Sequence, residues 1–420
     1  MTPLRICVDA RLVSGTAGGL EPMIAGLARG LSDLTDGDEE YLFLAYPGSR
    51  AWLQPHLSGK SRLLDAPVPL QQTLKRWISD ISPVIRRDFW AKIGSMAGWR
   101  RPGRAELSDG TIESAGVDIM HFTRQDAFAT SIPFIYHPHD LLHVHYPELV
   151  GEKEFEYREF TYRYFCERAS MVAVTASWGR RDLIDHFELE PDRVAVVPWA
   201  PAVWTASNPS PKSVEEMRVM YSLPTNFALY PAQTWPHKNH KRLLDAIKLL
   251  RDEKGQEIHL VLPGRFNEYQ ESIGHHVDQI GLSELVHFLG HVTNEQLRCL
   301  YSLARCVIIP TKFEAASGPL WEAFATGVPA ACSTVTALPR QARNAALLFD
   351  PDDSIEMADA IYRLWTDEQL RTKLVRRGTD NVSRFSWDRT ARHFRAHYRQ
   401  LASRPLTDED SHYLEQRALL

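Results

Sequence analysis

Residues 306–333 constrain this chain more than any other stretch. Cys306-Val-Ile-Ile309 is a short apolar run rich in β-branched residues and predicts a buried strand, which Pro310 ends. A polar loop leads to Gly318-Pro319. Proline at the first helical position has its φ preset and gives up no hydrogen bond the helix needs. Residues 320–326 predict that helix, Gly327 its C-terminal cap, and residues 328–332 a second buried strand. Such a strand–loop–helix–strand unit belongs to a parallel sheet, whose ligands sit at the carboxyl ends of the strands.

The loop of this unit carries the chemistry. A helix N-terminus presents N–H donors without intrahelical partners at the positive end of the dipole. The turn through Ala316, Ser317, Gly318, Pro319 and Leu320 is therefore expected to offer unpaired amides to a phosphate. Glu314 stands just before this turn, and Glu322 lies about 4.5 Å along the helix axis from Pro319. A carboxylate in a first turn also steadies a helix through the dipole and needs no ligand for that. The functional reading is a pair of acceptor-only carboxylates flanking an anion site, one able to take ribose hydroxyls and the other sugar hydroxyls.

With 420 residues the chain has room for two domains, each with its own core. Hydrophobic residues at 44% and charged residues at 24% are ordinary for a globular protein, and a net charge of −5 gives no reason to expect nucleic acid as a partner. Cys7, Cys166, Cys299, Cys306 and Cys332 are scattered, without a CxxC pair, which predicts packed thiols in a reducing cytosol. Residues 5–9 read as a strand followed by polar residues rather than a leader, and no apolar run is long enough to span a membrane.

Strands are expected at 6–13, 41–46, 117–122, 133–137, 171–175 and 194–197, with helices near 22–34 and 155–169 and another capped by Ser177. The glycine loop holding Gly15, Gly18 and Gly19 makes either a phosphate-friendly corner or a tight turn with no ligand. A Pro/Ser-rich patch at 207–213 marks a linker. The expected division is 1–200, a linker at 201–213, 214–385, and 386–420 as a long helix with Ser386 as N-cap and a polar surface tail. After the linker the pattern restarts: strands at 227–230, 259–262 and 286–289, and a helix near 241–251. Lys238 lies in a strand-to-helix loop, where it can face a diphosphate as a compact point charge. Gly264 and Gly290 end strands toward the same crevice, and Asp350-Pro-Asp352-Asp353 reads as a turn and helix start.

Two stretches stand apart. In 74–104, Lys75, Arg76, Arg86, Arg87, Lys92, Arg100, Arg101 and Arg104 interleave with Trp77, Phe89, Trp90 and Trp99. Such a segment suits contact with an anionic membrane, the solvated face of ordinary helices, or docking of an anionic lipid-linked acceptor. His137, His139, His143 and His145 crowd one turn, either as metal ligands or as structural histidines; no Cys or Glu completes a familiar ligand pattern.

Glu314, Glu322, Ala323-x-x-x-Gly327-x-Pro329 and Ser333 together resemble the signature of the retaining glycosyltransferases of family 4. The resemblance implies a GT-B fold: two facing Rossmann-like, doubly wound α/β domains with a deep cleft between them, the final helix crossing back to the first. It gives Glu314 the donor sugar, Glu322 the ribose and the amides of 317–320 the diphosphate. Lys238 resembles the family's Lys-Asn motif as phosphate ligand. His139 resembles its His-Asp turn, meeting the donor sugar or the reaction centre, with Asp140 placed to orient the ring; with Lys238 and Glu314 it makes up the implied catalytic set. Gly19 and Gly264 then line the nucleotide-sugar site. Two departures stand out: Gln233 where a basic residue is usual, for which Arg242 is the substitute, and 338–341 without the usual acid.

The activity this implies is transfer of a sugar, with mannose from a GDP donor as the lean, from a nucleotide-diphosphate sugar to a glycan or lipid-linked acceptor. Configuration is retained and no divalent metal is essential. Surface-polysaccharide synthesis in the cytoplasm, at the inner face of the membrane, is the implied setting. A nucleotide-sugar epimerase of the same architecture and a non-catalytic scaffold of a glycan-assembly complex are the alternatives.

Overall fold

The structure is a computed structural model that describes residues 2–14, 18–67, 103–202 and 209–415. The basic segment 74–104 lies almost entirely outside these residues, as does much of the expected linker. The chain divides into two compact units. One takes residues up to Val174, Asp182–Ala195 and the segment from Ala391; the other takes Thr175–Arg181 and Val196–Thr390.

The first unit is built on strands β1 (Arg5–Asp9), β2 (Glu40–Ala45), β3 (Ser61–Asp65), β5 (Ile119–Phe122), β7 (Phe134–Tyr136), β8 (Met171–Val174) and β9 (Val194–Val196). They form one sheet in the order β3-β2-β1-β5-β7-β8-β9, and β4 (Glu106–Leu107) pairs separately with β6 (Phe128–Ala129). Residues 6–9 of β1 and all of β5 are buried, as expected of strands covered on both faces. β1 stops at Asp9, short of the expected 13, because the Asp9 carboxylate accepts the Arg11 amide at 3.1 Å and turns the chain. β3, with two leucines among polar residues at the sheet edge, carried no readable strand signal.

The second unit has β10 (Ala228–Leu229), β11 (Leu260–Pro263), β12 (Val286–Gly290), β13 (Cys306–Ile309), β14 (Ala330–Ser333) and β15 (Ala346–Phe349), in the order β12-β11-β10-β13-β14-β15. Every recorded pairing is parallel. Strand order reverses between β10 and β13, so the loops leaving these neighbours diverge at their carboxyl ends. That is where doubly wound sheets hold ligands.

Three expectations need correction. Ser177 is the first residue of the helix Ser177–Phe187 rather than its cap, and its Oγ accepts from Arg340 Nη1 at 2.5 Å. The linker ends early, since Pro211 already opens the helix Pro211–Met220. The expected surface tail is helical over part of its length: the helix Asp408–Glu415 buries Asp410, which accepts from Arg399 Nη1 at 2.8 Å. Arg399 in turn donates to Glu39 Oε1 at 2.6 Å. Ser386 does cap the helix Trp387–Leu401, taking the Arg389 amide at 3.2 Å. The five cysteines are free and buried.

Candidate functional site

Two loops meet at the reversal point of the second sheet. The loop after β10 ends in a single 3₁₀ turn, Pro236–Lys238, and the loop after β13 carries Glu314. Asn239 adopts a left-handed φ of 61°, and its buried side chain donates to Pro310 O at 2.9 Å and Pro351 O at 2.8 Å, tying three strand-end loops together. The Lys312 amide and the Thr311 hydroxyl both reach His237 O, at 2.7 and 3.1 Å. Tyr230 Oη donates to Lys238 O at 2.9 Å. Held by these bonds, Lys238 Nζ and Glu314 Oε2 stand 2.6 Å apart, with side chains 21% and 18% exposed. The two residues assigned separately to phosphate and sugar are thus one ion pair.

The anion turn is narrower than expected. Ser317 is the N-cap of the helix Gly318–Ala325, so Pro319 is its second residue, not its first. Ser317 Oγ accepts the Leu320 amide at 3.4 Å. Gln341 clamps the Ser317 backbone, accepting its amide at 2.9 Å and donating to its carbonyl at 2.7 Å. Thr336 does the same for Glu314, at 3.2 and 2.5 Å. The amides of Ser317 and Leu320 are therefore already engaged. Among the described residues, those of Ala315, Ala316 and Gly318 take no hydrogen bond to protein. The segment 338–341 lacks an acid but uses Gln341, a local contact that sequence reading left unassigned.

Glu322 lies on the first turns of the helix Gly318–Ala325 and is 9% exposed. Its one recorded side-chain partner is Tyr301 Oη, 2.7 Å from Oε2. Burial pushes its pKa from the usual carboxyl range up to about 7, and the Tyr301 hydrogen bond offsets only part of this. Arg242 sits in the first turn of the helix His240–Lys254, without an ion pair among the described residues.

Gly264 follows β11, and its amide donates to Gly290 O at 2.8 Å. A Cβ there would lie well inside van der Waals contact with Ala232 O and 3.1 Å from the Gln233 amide nitrogen. Only glycine lets the β11 end pack against the loop that leads to Lys238. Gln233 accepts from Trp235 Nε1 at 2.8 Å, so it orients an indole where a cation was sought.

In the first unit, Gly19 immediately precedes the helix Leu20–Ser32, with residues 15–17 outside the described set. His139 has a left-handed φ of 68°, and its Nε2 lies 2.9 Å from Thr123 O. Asp140 uses Oδ1 to accept the Leu142 amide at 3.0 Å, so the expected orienting contact is replaced by the Thr123 carbonyl. The other histidines go to different partners: His137 to His121 at 2.8 Å, His143 toward Glu159 at 3.4 Å, and His145 to Asp182 at 2.7 Å. Sequence reading also passed over Asp9 and Arg11 beside the end of β1. The Arg11 guanidinium, 2.8 Å from the buried Asp9 carboxylate, overrides burial and holds its pKa below the usual range.

Residues 219–381 match the family of glycosyl transferases group 1. The match spans the sheet β10–β15 and the loops that carry Lys238, Glu314 and Glu322. The O-antigen chain mannosyltransferase B of Escherichia coli is 28% identical to the present chain over 255 residues, covering 60% of this chain and 66% of that protein, just under two thirds of its length. The sucrose-phosphate synthase of Thermosynechococcus elongatus superposes with a TM-score of 0.66 at 19% identity, covering 95% of this chain and 99% of that one. Anabaena Alr3699/HepE, solved with UDP and glucose, superposes with a TM-score of 0.67 at 16% identity, covering 94% and 100%. The chain thus has the GT-B fold.

Proposed function

We propose that this chain is a retaining glycosyltransferase that moves a sugar from a nucleotide-diphosphate donor to a hydroxyl of a glycan or lipid-linked acceptor in surface-polysaccharide synthesis. The observation that carries this reading is the Lys238–Glu314 pair at the β10/β13 reversal, beside the open amides of Ala315, Ala316 and Gly318. A lysine and fixed N–H dipoles next to each other stabilise a diphosphate as it leaves, the largest single contribution such a site can make. With that charge supplied by protein, the transfer needs no divalent cation. Glu314 holds sugar hydroxyls, Glu322 holds the ribose, and the departing phosphate oxygen takes the acceptor proton. Mannose as the sugar is supported by the mannosyltransferase relative. The acceptor is offered from the cytoplasmic face of the membrane, with 74–104 as the segment contacting anionic lipid.

The reading is tested by titrating nucleoside diphosphates against thermal stability across pH. A ligand that binds the folded state raises the melting temperature in proportion to its affinity. Ribose hydroxyls donate to an ionised carboxylate, so the nucleotide prefers Glu322 deprotonated. With its pKa raised to about 7, affinity is expected to rise with pH and level off above that point. Between pH 8 and pH 6 the loss is about fivefold to tenfold. Glu322→Gln removes this dependence, while the titration of the nucleotide's own phosphate near pH 6 continues in both proteins. No stabilisation by any nucleoside diphosphate would defeat the reading.

A further inference from the structure

The aromatic hydroxyl behind Glu322 does more than fill the core. Tyr301 is fully buried on the helix Asn294–Leu303, whose start is held by a capping box between Thr293 and Gln296. Its Oη lies 2.7 Å from Glu322 Oε2 and 3.3 Å from Pro319 O, so it contacts both the carboxyl and the backbone of the turn that carries it. Glu322 Oε1 takes no hydrogen bond among the described residues, and 9% of the residue's surface remains exposed.

We infer that Tyr301 is a positioning residue for nucleotide recognition: it holds one oxygen of Glu322 against the helix and leaves the other to accept the ribose hydroxyls. This rests on the reading of Glu322 as the ribose ligand. A buried carboxylate without a donor reverts to its neutral acid, which loses half its capacity to accept and lets the side chain rotate. Among the described residues the Tyr301 hydroxyl is the one side-chain donor at Glu322, and it favours the ionised form. The hydroxyl has a single proton, which goes to Glu322 Oε2 at 2.7 Å in preference to Pro319 O at 3.3 Å.

The test uses full-length Tyr301→Phe, which keeps the ring and its packing, alongside Glu322→Gln. Each is titrated with a nucleoside diphosphate and with its 2′,3′-dideoxy analogue from pH 5.5 to 8.5. The expected result is about tenfold weaker binding of the ribonucleotide by Tyr301→Phe at pH 7, as for loss of one hydrogen bond to a charged group. Binding of the dideoxynucleotide should change less than twofold, and in steady-state kinetics the loss should fall on KM for the donor more than on kcat. The pH at which ribonucleotide affinity levels off should move upward. Equal losses for both ligands would overturn the inference, because a general packing defect does not distinguish ribose from dideoxyribose. If Glu322→Gln itself fails to distinguish the two ligands, the ribose assignment falls. If it distinguishes them and Tyr301→Phe does not, only the role of Tyr301 falls.

Discussion

Lys238→Ala is expected to lower kcat by about two to three orders of magnitude, the range seen when one fixed donor to a developing anion is removed. The lysine is presented by a rigid backbone: its amide donates to Trp235 O at 2.9 Å, its carbonyl takes the Tyr230 hydroxyl at 2.9 Å, and Asn239 anchors the next residue. The substitution also frees Glu314, now 2.6 Å from the ammonium, to repel the diphosphate. Donor affinity should therefore fall along with turnover. The double variant Lys238→Ala/Glu314→Gln should recover much of the affinity but little of kcat, since neutralising the carboxylate does not restore a cation. Steady-state kinetics with saturating donor measure this. A kcat within threefold of the parent protein would remove Lys238 from the reaction.

Gly264→Ala is expected to have the second largest effect, on stability and binding together. The new methyl meets backbone, the Ala232 carbonyl and the Gln233 amide, rather than a side chain that can rotate away. The end of β11 must separate from the loop 231–239 or the β11–β12 bond from Gly264 N to Gly290 O must stretch from its 2.8 Å. Overpacking of this kind costs about 1–3 kcal/mol. For a protein of this size that lowers the melting temperature by roughly 1–3 °C. Because the displaced loop is the one that delivers Lys238, nucleoside-diphosphate stabilisation should shrink at the same time. Gly274→Ala is the control: it lies inside the helix Gln270–Gln279, with nothing within 4 Å of its Cβ position. There alanine should be neutral or stabilising by about 0.5–1 kcal/mol. Unaltered melting and binding in Gly264→Ala would mean that the close approach of the two loops carries no consequence.

The unit at 306–333 was legible because its signals are local. An unbroken apolar run, a proline, a Gly-Pro start and a Gly327 end with φ 70° all act within a few residues of one another. Lys238 and Glu314 could each be picked out for the same reason. Their ion pair could not, since it joins residues 76 positions apart through a strand order that no local pattern encodes. The same limit explains why the amides of Ser317 and Leu320 read as open. A Ser317 side chain at an N-cap is readable in principle, but Gln341 clamps the backbone from 24 residues away. Tyr301 carried no sequence signal of its own, and nothing nearby announced that its hydroxyl would face Glu322. The last helix, Asp408–Glu415, was hidden by its polarity: it is held by Asp410 and Arg399 rather than by an apolar stripe.

The helix Trp387–Leu401 has its own consequence. Its opening residues belong to the second unit, whereas Phe394 and Tyr398 pack with His121, whose ring nitrogen lies 2.6 Å from the Tyr398 hydroxyl, inside the first. The first unit's core is therefore finished by residues 277 positions further along the chain. On a ribosome its core stays incomplete until Tyr398 has emerged, and a fragment cut near residue 200 would expose the groove that those two rings fill.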